Sequence, residues 1–179
     1  MKVELTTWYL EMLDRQQLCP KVSQHPDLAI RQAEIPCPEF SRFLYTSVGG
    51  NWYWCGRLSW TYERWAAYLN RPNVKTWVAY VSGTPAGYIE LEAQPEDMVE
   101  VAYFGLLPQF IGQGLGGHLL TVGIEQAWRM EAKRVWVHTC SLDGPYALRN
   151  YQSRGFTLYK TEVSSVEIAE QPPGPWVEI

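Results

Sequence analysis

Glu100-Val101-Ala102-Tyr103-Phe104-Gly105-Leu106-Leu107-Pro108 runs directly into Gln109-Phe110-Ile111-Gly112-Gln113-Gly114-Leu115-Gly116-Gly117-His118-Leu119-Leu120. The first half has the apolar, β-branched and aromatic content of a strand, and it stops at a proline. The second half passes through four glycines in six residues and enters the helical spacing of Leu115, Leu119 and Leu120. A strand, a glycine turn and a helix in that order leave a row of backbone N–H groups without acceptors at the helix start. The helix macrodipole adds about half a positive charge there, so a phosphate or pyrophosphate is the natural guest. No lysine follows the glycines, which excludes the G-x-x-x-x-G-K-[S/T] phosphate loop. The segment also lies too far down the chain to open a dinucleotide-binding unit.

The glycine spacing resembles the acyl-CoA-binding motif of the GCN5-related N-acetyltransferase (GNAT) superfamily: Arg or Gln, two residues, Gly, one residue, then Gly or Ala. Two registers satisfy it, Gln109 with Gly112 and Gly114, or Ile111 with Gly114 and Gly116. The second places Gly114-Leu115-Gly116 just ahead of Leu119 and Leu120, as in the family, and puts Ile111 where a basic or amide residue is usual. A second landmark follows in Tyr146-Ala147-Leu148-Arg149-Asn150-Tyr151-Gln152-Ser153-Arg154-Gly155-Phe156, which resembles the family's closing helix and strand. Tyr151 falls on the tyrosine that sits beside the coenzyme sulfur in many members. Asp143 or Gly144 stands where an asparagine often contacts the coenzyme. Together the two motifs span about 95 to 160.

The resemblance implies an α+β (mixed α/β) fold of GNAT type. Its central sheet is mixed, mostly antiparallel and twisted, has six to seven strands flanked by about four helices, and splays its middle strands to hold acyl-CoA. It implies one domain over 1–179, with the coenzyme core at about 95–160 and an acceptor-shaping region at about 28–75. The implied activity is transfer of an acetyl group from acetyl-CoA, as co-substrate and without a metal, to a primary amine of a small molecule or peptide by direct attack. The alternatives are a protein N-terminal or lysine acetyltransferase and a non-catalytic acyl-CoA sensor. Main-chain groups of Leu106, Leu107 and Pro108 would bond the pantetheine arm like an added strand. Ile111, Gly112, Gln113, Gly114, Leu115, Gly116 and Gly117 would hold the pyrophosphate. Common family behaviour and exposed aromatic surface make a homodimer plausible.

Amine acetylation needs a proton acceptor for the amine and a proton donor for the departing thiolate. Glu100, fourteen residues before Gly114 on the strand that leads into the glycines, is the candidate base, with Glu90 and Glu92 on the neighbouring strand as substitutes. Tyr151 is the candidate acid. His138 lies on a later strand and reads more naturally as structural, and His118, in the first turn of the phosphate helix, faces solvent or the coenzyme. Trp52, Trp54 and Trp60 concentrate in Asn51–Trp60, where an amine could be held by stacking and cation–π contacts; with Glu90 they are the candidate acceptor contacts.

Composition bounds the alternatives. Apolar residues make up 46% and charged residues 19% of the 179, which suits a folded chain with a sizeable core. A net charge of −4 argues against a nucleic-acid surface, since phosphate neutralisation needs clustered Lys and Arg. Cys19, Cys37, Cys55 and Cys140 are scattered without metal-ligand spacing and read as reduced thiols. No signal segment and no long apolar run is present, so the expectation is a cytoplasmic protein with no membrane partner.

The remaining elements follow from pattern. Alternation over residues 2–10 gives a first strand, and a second apolar element covers about 28–35. Helical spacing over Pro38–Val48 is broken by Gly49-Gly50-Asn51, and Ser59 or Thr61 caps a helix carrying Trp60, Trp65 and Leu69 that stops at Asn70 and Pro72. A hairpin joins residues 76–81 to 86–92 through Ser82-Gly83-Thr84-Pro85, and Lys133–Cys140 is a strand. The Pro-rich segment 171–175 is expected on the surface.

Overall fold

The computed structural model describes residues 1–176. Seven strands and four α-helices follow one another as β1 (Lys2–Met12), β2 (Leu28–Gln32), α1 (Pro38–Gly49), α2 (Tyr62–Leu69), β3 (Val74–Val81), β4 (Thr84–Gln94), β5 (Met98–Leu106), α3 (Leu115–Arg129), β6 (Arg134–Cys140), α4 (Ala147–Ser153) and β7 (Thr157–Glu167). The strands form one sheet in the order β2-β3-β4-β5-β6-β1-β7. All neighbours are antiparallel except β5 and β6, which are joined through α3 as a parallel crossover requires. This is the expected α+β arrangement.

Two features of that order shape the site. The parallel pairing of β5 with β6 covers only Met98↔Arg134, Val99↔Val135 and Glu100↔Trp136, after which the strands part. Between Glu90 and Leu91 the β4–β5 register shifts so that Tyr103 faces Glu90 and Val101 faces Leu91, leaving Ala102 as an extra residue. Such a bulge bends a strand, and this one lies just where β5 leaves β6. The N-terminal strand β1, for its part, sits between β6 and the last strand, paired with both.

Each face of the sheet carries its own core. On one, Ile89, Leu91, Val99 and Val101 pack beneath Leu119, Leu120 and Ile124 of α3. On the other, Val78 and Tyr88 meet Leu44 and Val48 of α1. Alternation along β4 sends Glu90 and Glu92 to this second face, and the register brings Glu100 opposite Glu92.

Several local expectations are revised. Thr61, not Ser59, caps α2 by accepting from the Arg64 N–H, so Trp60 precedes the helix. Ser82 and Gly83 alone, both at positive φ, turn the β3–β4 hairpin, and Thr84 and Pro85 belong to β4. The α-helix ends at Gly49 as expected, although Gly49 and Gly50 keep helical dihedrals and the chain tightens into a 3-10 turn over Gly50–Trp52. They are small for packing: a Cβ on Gly49 would lie 2.0 Å from the Trp54 ring, and one on Gly50 2.6 Å from the Gly174 carbonyl carbon. The Pro-rich segment is accordingly not free on the surface. Gly174 donates its N–H to the Gly50 carbonyl at 3.0 Å, and Pro173–Pro175 are half-buried.

Candidate functional site

A cleft of about 880 Å³ runs through the gap between β5 and β6. At one end are Gly112, Gly114, Gly116 and Gly117; along its middle are Val101–Leu106, His138, Cys140, Asn150 and Tyr151; at the other end are Tyr45 and Trp52–Gly56, faced by Leu5 and Val166–Ala169.

The glycine end is a helix start with no side-chain cap. Gly114, the N-cap of α3, has φ 77° and Gly112 has φ 84°, conformations that only glycine takes without strain. Added Cβ atoms would meet nothing there, so backbone conformation is what requires these two glycines. Gly117 is different, because its Cβ would strike the Arg154 guanidinium at 2.5 Å and the Lys21 stem at 2.6 Å. Both cations therefore lie over the first turn of α3. Lys21 belongs to the β1–β2 connection, which is pinned down by three bonds: Lys21 N–H to Thr121 Oγ1 (2.9 Å), Ser23 N–H to His118 Nδ1 (2.8 Å) and Cys19 N–H to the Arg154 carbonyl (2.9 Å). His118 is thus a latch for that connection rather than a solvent- or coenzyme-facing group.

Of the three residues expected to bond a pantetheine arm, only Leu106 keeps free main-chain groups on the opened edge. The Leu107 N–H is given to the Ala86 carbonyl (2.9 Å), and the Leu107 and Pro108 carbonyls accept from Phe110 and Ile111 in a 3-10 turn. Since Leu107 faces β4, the adjacent Leu106 faces the cleft. Ile111 lines the cleft with its side chain; Leu115 is buried in the core beneath the helix, and Gln113 folds back to bond the Gln109 carbonyl.

At the point where the strands part stands Glu100, its carboxylate 14% exposed. Gln94 donates to Oε2 at 2.7 Å, and His138 Nε2 lies 3.6 Å from Oε1. Burial pushes the Glu100 carboxyl up to about 7, against the pull of the Gln94 bond and with help from the neighbouring Glu92 charge. His138 lines the cleft with half its side chain open. The protein packed around the rest lowers its pKa, partly offset by the Asp143 charge. Glu100 lies behind this imidazole and does not itself line the cleft.

Tyr151 lies on the far side of the gap, between the rings of Phe104 and Phe156. Its hydroxyl makes no hydrogen bond among the described residues, and burial together with Asp143 raises its pKa, so it holds its proton at neutral pH. Asp143 takes donors from Trp54 Nε1 (3.2 Å), Thr139 Oγ1 (2.6 Å) and the Cys140 N–H (3.0 Å). These bonds tie the β6–α4 loop to the aromatic wall.

The acceptor contacts expected from sequence divide. Trp52 and Trp54 line the cleft. Trp60 lines a separate hollow of about 630 Å³ with Arg64, Arg71 and Glu92. The aromatic cage around Trp60 is filled by the chain's own Arg57, whose guanidinium carbon lies 4.3 Å from the Tyr68 and Tyr103 ring centroids and 4.7 Å from that of Trp60. Glu90 is not an acceptor contact. It is 1% exposed and wholly engaged, by both Arg57 terminal nitrogens (2.8 and 3.0 Å) and by the Tyr68 hydroxyl (2.6 Å). Lys21 and the segment 166–169 escaped notice because they reach the cleft from parts of the chain outside the two motifs, whereas Asn150, next to Tyr151 within the second motif, carries no signal of its own.

The sequence matches the family model described as Acetyltransferase (GNAT) family over residues 34–156. No curated protein matches it. Among solved structures it is similar to a GCN5-related N-acetyltransferase from Kribbella flavida (TM-score 0.64, 19% identity, 94% of this chain and 58% of that one). It is also similar to an aminoglycoside acetyltransferase from an uncultured soil metagenomic sample, in complex with trehalose (0.60, 18%, 72% and 87%). A third is an IAA acetyltransferase from Bacillus cereus (0.54, 21%, 74% and 79%). At these identities the likeness is one of fold. The chain spans 50–60% of the length of several larger structures it matches.

Proposed function

The chain belongs to the acetyltransferase (GNAT) family, and on that premise we propose that it transfers an acetyl group from acetyl-CoA to a primary amine of a small molecule or peptide, by direct attack. The observation that carries this reading is the cleft itself, which joins an uncapped helix start flanked by Lys21 and Arg154 to an aromatic chamber through the gap where β5 leaves β6. The residues fit the coenzyme: free N–H groups and two cations suit its phosphates, and Leu106 offers an open strand edge to its arm. Bound there, the coenzyme supplies an activated acetyl thioester.

The chain's own groups then have distinct tasks. The amine must lose a proton, and His138 faces the cleft with Glu100 behind it, so the proton leaves toward this pair. A carboxyl near 7 and an imidazole below its ordinary value are both poised to accept a proton at neutral pH. Tyr151, kept protonated across the gap, donates to the leaving sulfur. The half-buried Cys140, whose pKa burial raises, is a poor nucleophile, which favours direct attack over an acyl-enzyme.

Calorimetric titration of the full chain with acetyl-CoA, with dephospho-CoA and NAD as controls, tests the reading. Micromolar binding of acetyl-CoA alone supports it, and absence of binding overturns it.

A further inference from the structure

The far end of the cleft has few charges. Among the described residues, Lys21, His138, Asp143 and Glu167 are the lysine, histidine and carboxylate side chains that line the cavity. Lys21 lies at the glycine end, Asp143 is occupied by three donors, and Glu167 sits at the exposed end of β7. Only His138 remains beside the gap. The walls of the chamber are otherwise Tyr45, Trp52, Trp54 and Tyr103 on one side and Leu5 and Ile168 on the other. The Trp54 ring is fixed at 4.9 Å from Tyr103 and 5.5 Å from Tyr45, so this wall is preformed.

The side carrying Ile168 is built by the chain's own end. After β7 the backbone is tied to the start of the chain by the Ile168 N–H to the Met1 carbonyl (2.9 Å). It crosses to the aromatic wall, where Tyr53 Oη donates to the Ala169 carbonyl (3.4 Å), and is pinned by Gly174 to Gly50. The segment 168–175 therefore runs along the chamber opposite the glycine end as a strap, with Ile168 and Ala169 in the chamber wall.

We infer that the acceptor is a monoamine carried on an aromatic ring, seated against Trp52 and Trp54 beneath the 168–175 strap. The inference rests on the acetyl transfer proposed above. Among the described residues, an acceptor with several cationic groups would find Glu167 at the exposed rim of the chamber and no carboxylate along the aromatic wall other than the engaged Asp143, and a peptide would have to pass the 168–175 segment. A ring with one amine needs neither, and apolar walls favour the neutral amine that attacks. The ring buries its face on the indoles while the nitrogen points at His138.

The test uses the full chain, saturated with CoA for binding and supplied with acetyl-CoA for turnover. 2-Phenylethylamine and tryptamine are compared with kanamycin, spermidine and a short peptide, by calorimetry and by thiol release. The ring amines should bind and show KM values at least about 10-fold below the others. Gly50→Ala, which drives a Cβ into the Gly174 backbone, should raise the ring-amine KM about 10-fold with the acetyl-CoA Kd unchanged. Truncation after Glu170 should do the same, and it decides the matter if Gly50→Ala fails to fold. Preference for kanamycin, spermidine or the peptide, or intact acetyl-CoA binding with no ring amine bound, overturns the inference alone. Loss of acetyl-CoA binding to the unaltered protein overturns the parent reading with it.

Discussion

His138 Nε2 lies 3.6 Å from Glu100 Oε1 at the last paired position of β5 and β6, so a cleft-facing imidazole is backed by a carboxyl from the neighbouring strand. The separation is longer than a hydrogen bond. Near neutrality the imidazole is largely uncharged and the carboxyl is close to its midpoint, which lets a single arriving proton settle between the two.

Because burial raises the Glu100 pKa to about 7 from an unfolded value near 4.3, ionising it opposes folding. Stability from this group is fully present below about pH 4.3 and is lost as pH rises through about 7. Glu100→Gln should therefore be about 2–3 kcal/mol more stable than the parent at pH 8.5 and nearly equal to it at pH 4.5. Urea denaturation at the two pH values checks this. A constant difference would show that the carboxyl is not perturbed.

In turnover the same group should give kcat/KM a rise with pH centred near 7. Glu100→Gln should lower the plateau about 100-fold and remove that inflection. A variant as fast as the parent at pH 7 would take Glu100 out of the proton path.

Tyr151→Phe removes a hydroxyl that makes no hydrogen bond among the described residues, and it keeps the contacts with Phe104 and Phe156. Stability should change by less than about 1 kcal/mol, while kcat falls about 100-fold or more. Unchanged kcat would assign thiolate protonation elsewhere.

Glu90 holds Arg57 inside the aromatic cage with three donors around one carboxylate. Glu90→Gln should cost about 3–5 kcal/mol, because it leaves a guanidinium buried without its counter-ion. The acetyl-CoA Kd should stay within about 2-fold of the parent value once the variant is folded. A cost under about 1 kcal/mol would mean that Arg57 finds water instead.

Gly114 and Gly116 should respond in opposite ways. Gly114→Ala forces an alanine to φ 77° and should lose about 1–2 kcal/mol of stability. Gly116 is helical, and its added Cβ would come no nearer than 3.6 Å to Asn150, so Gly116→Ala should gain about 0.5–1 kcal/mol. It should nonetheless weaken acetyl-CoA binding, since that methyl projects toward the ligand's cleft. Equal coenzyme affinity would place the phosphates away from Gly116.

The helix start was legible because a glycine turn between a strand and a helix is set by local chemistry, and the splay was implied by the family resemblance. The positions of Glu100 and Tyr151 beside the gap followed from the family resemblance, each lying in or beside a motif, and their roles are proposals. The fate of Glu90 was not, because its alternation with Glu92 shows only a shared face, and Arg57, 33 residues away, decides that the carboxylate is spent. Nor could Trp60 be told from Trp54, since which indole meets the cleft depends on where α2 starts. That α1 stops at Gly49 was legible, but the packing of Trp54 and Gly174 against Gly49 and Gly50 was not, because sequence shows a glycine's freedom and not its neighbours. The place of β1 beside β6 is a long-range pairing that no local pattern announces.

That pairing sets an order of assembly. The eleven residues of β1 leave the ribosome before the other strands of the sheet, yet the partner at Lys2, Glu167, is made 165 positions later. At roughly 5–20 residues per second, the first strand waits about 10–30 seconds for the last one. Until β6 is made, Leu10 and Met12, fully buried in the finished protein opposite Val137 and Val135, have no strand to join. The slow step of folding should therefore be closure of this end of the sheet, and nascent chains halted before β7 should be clients for chaperones.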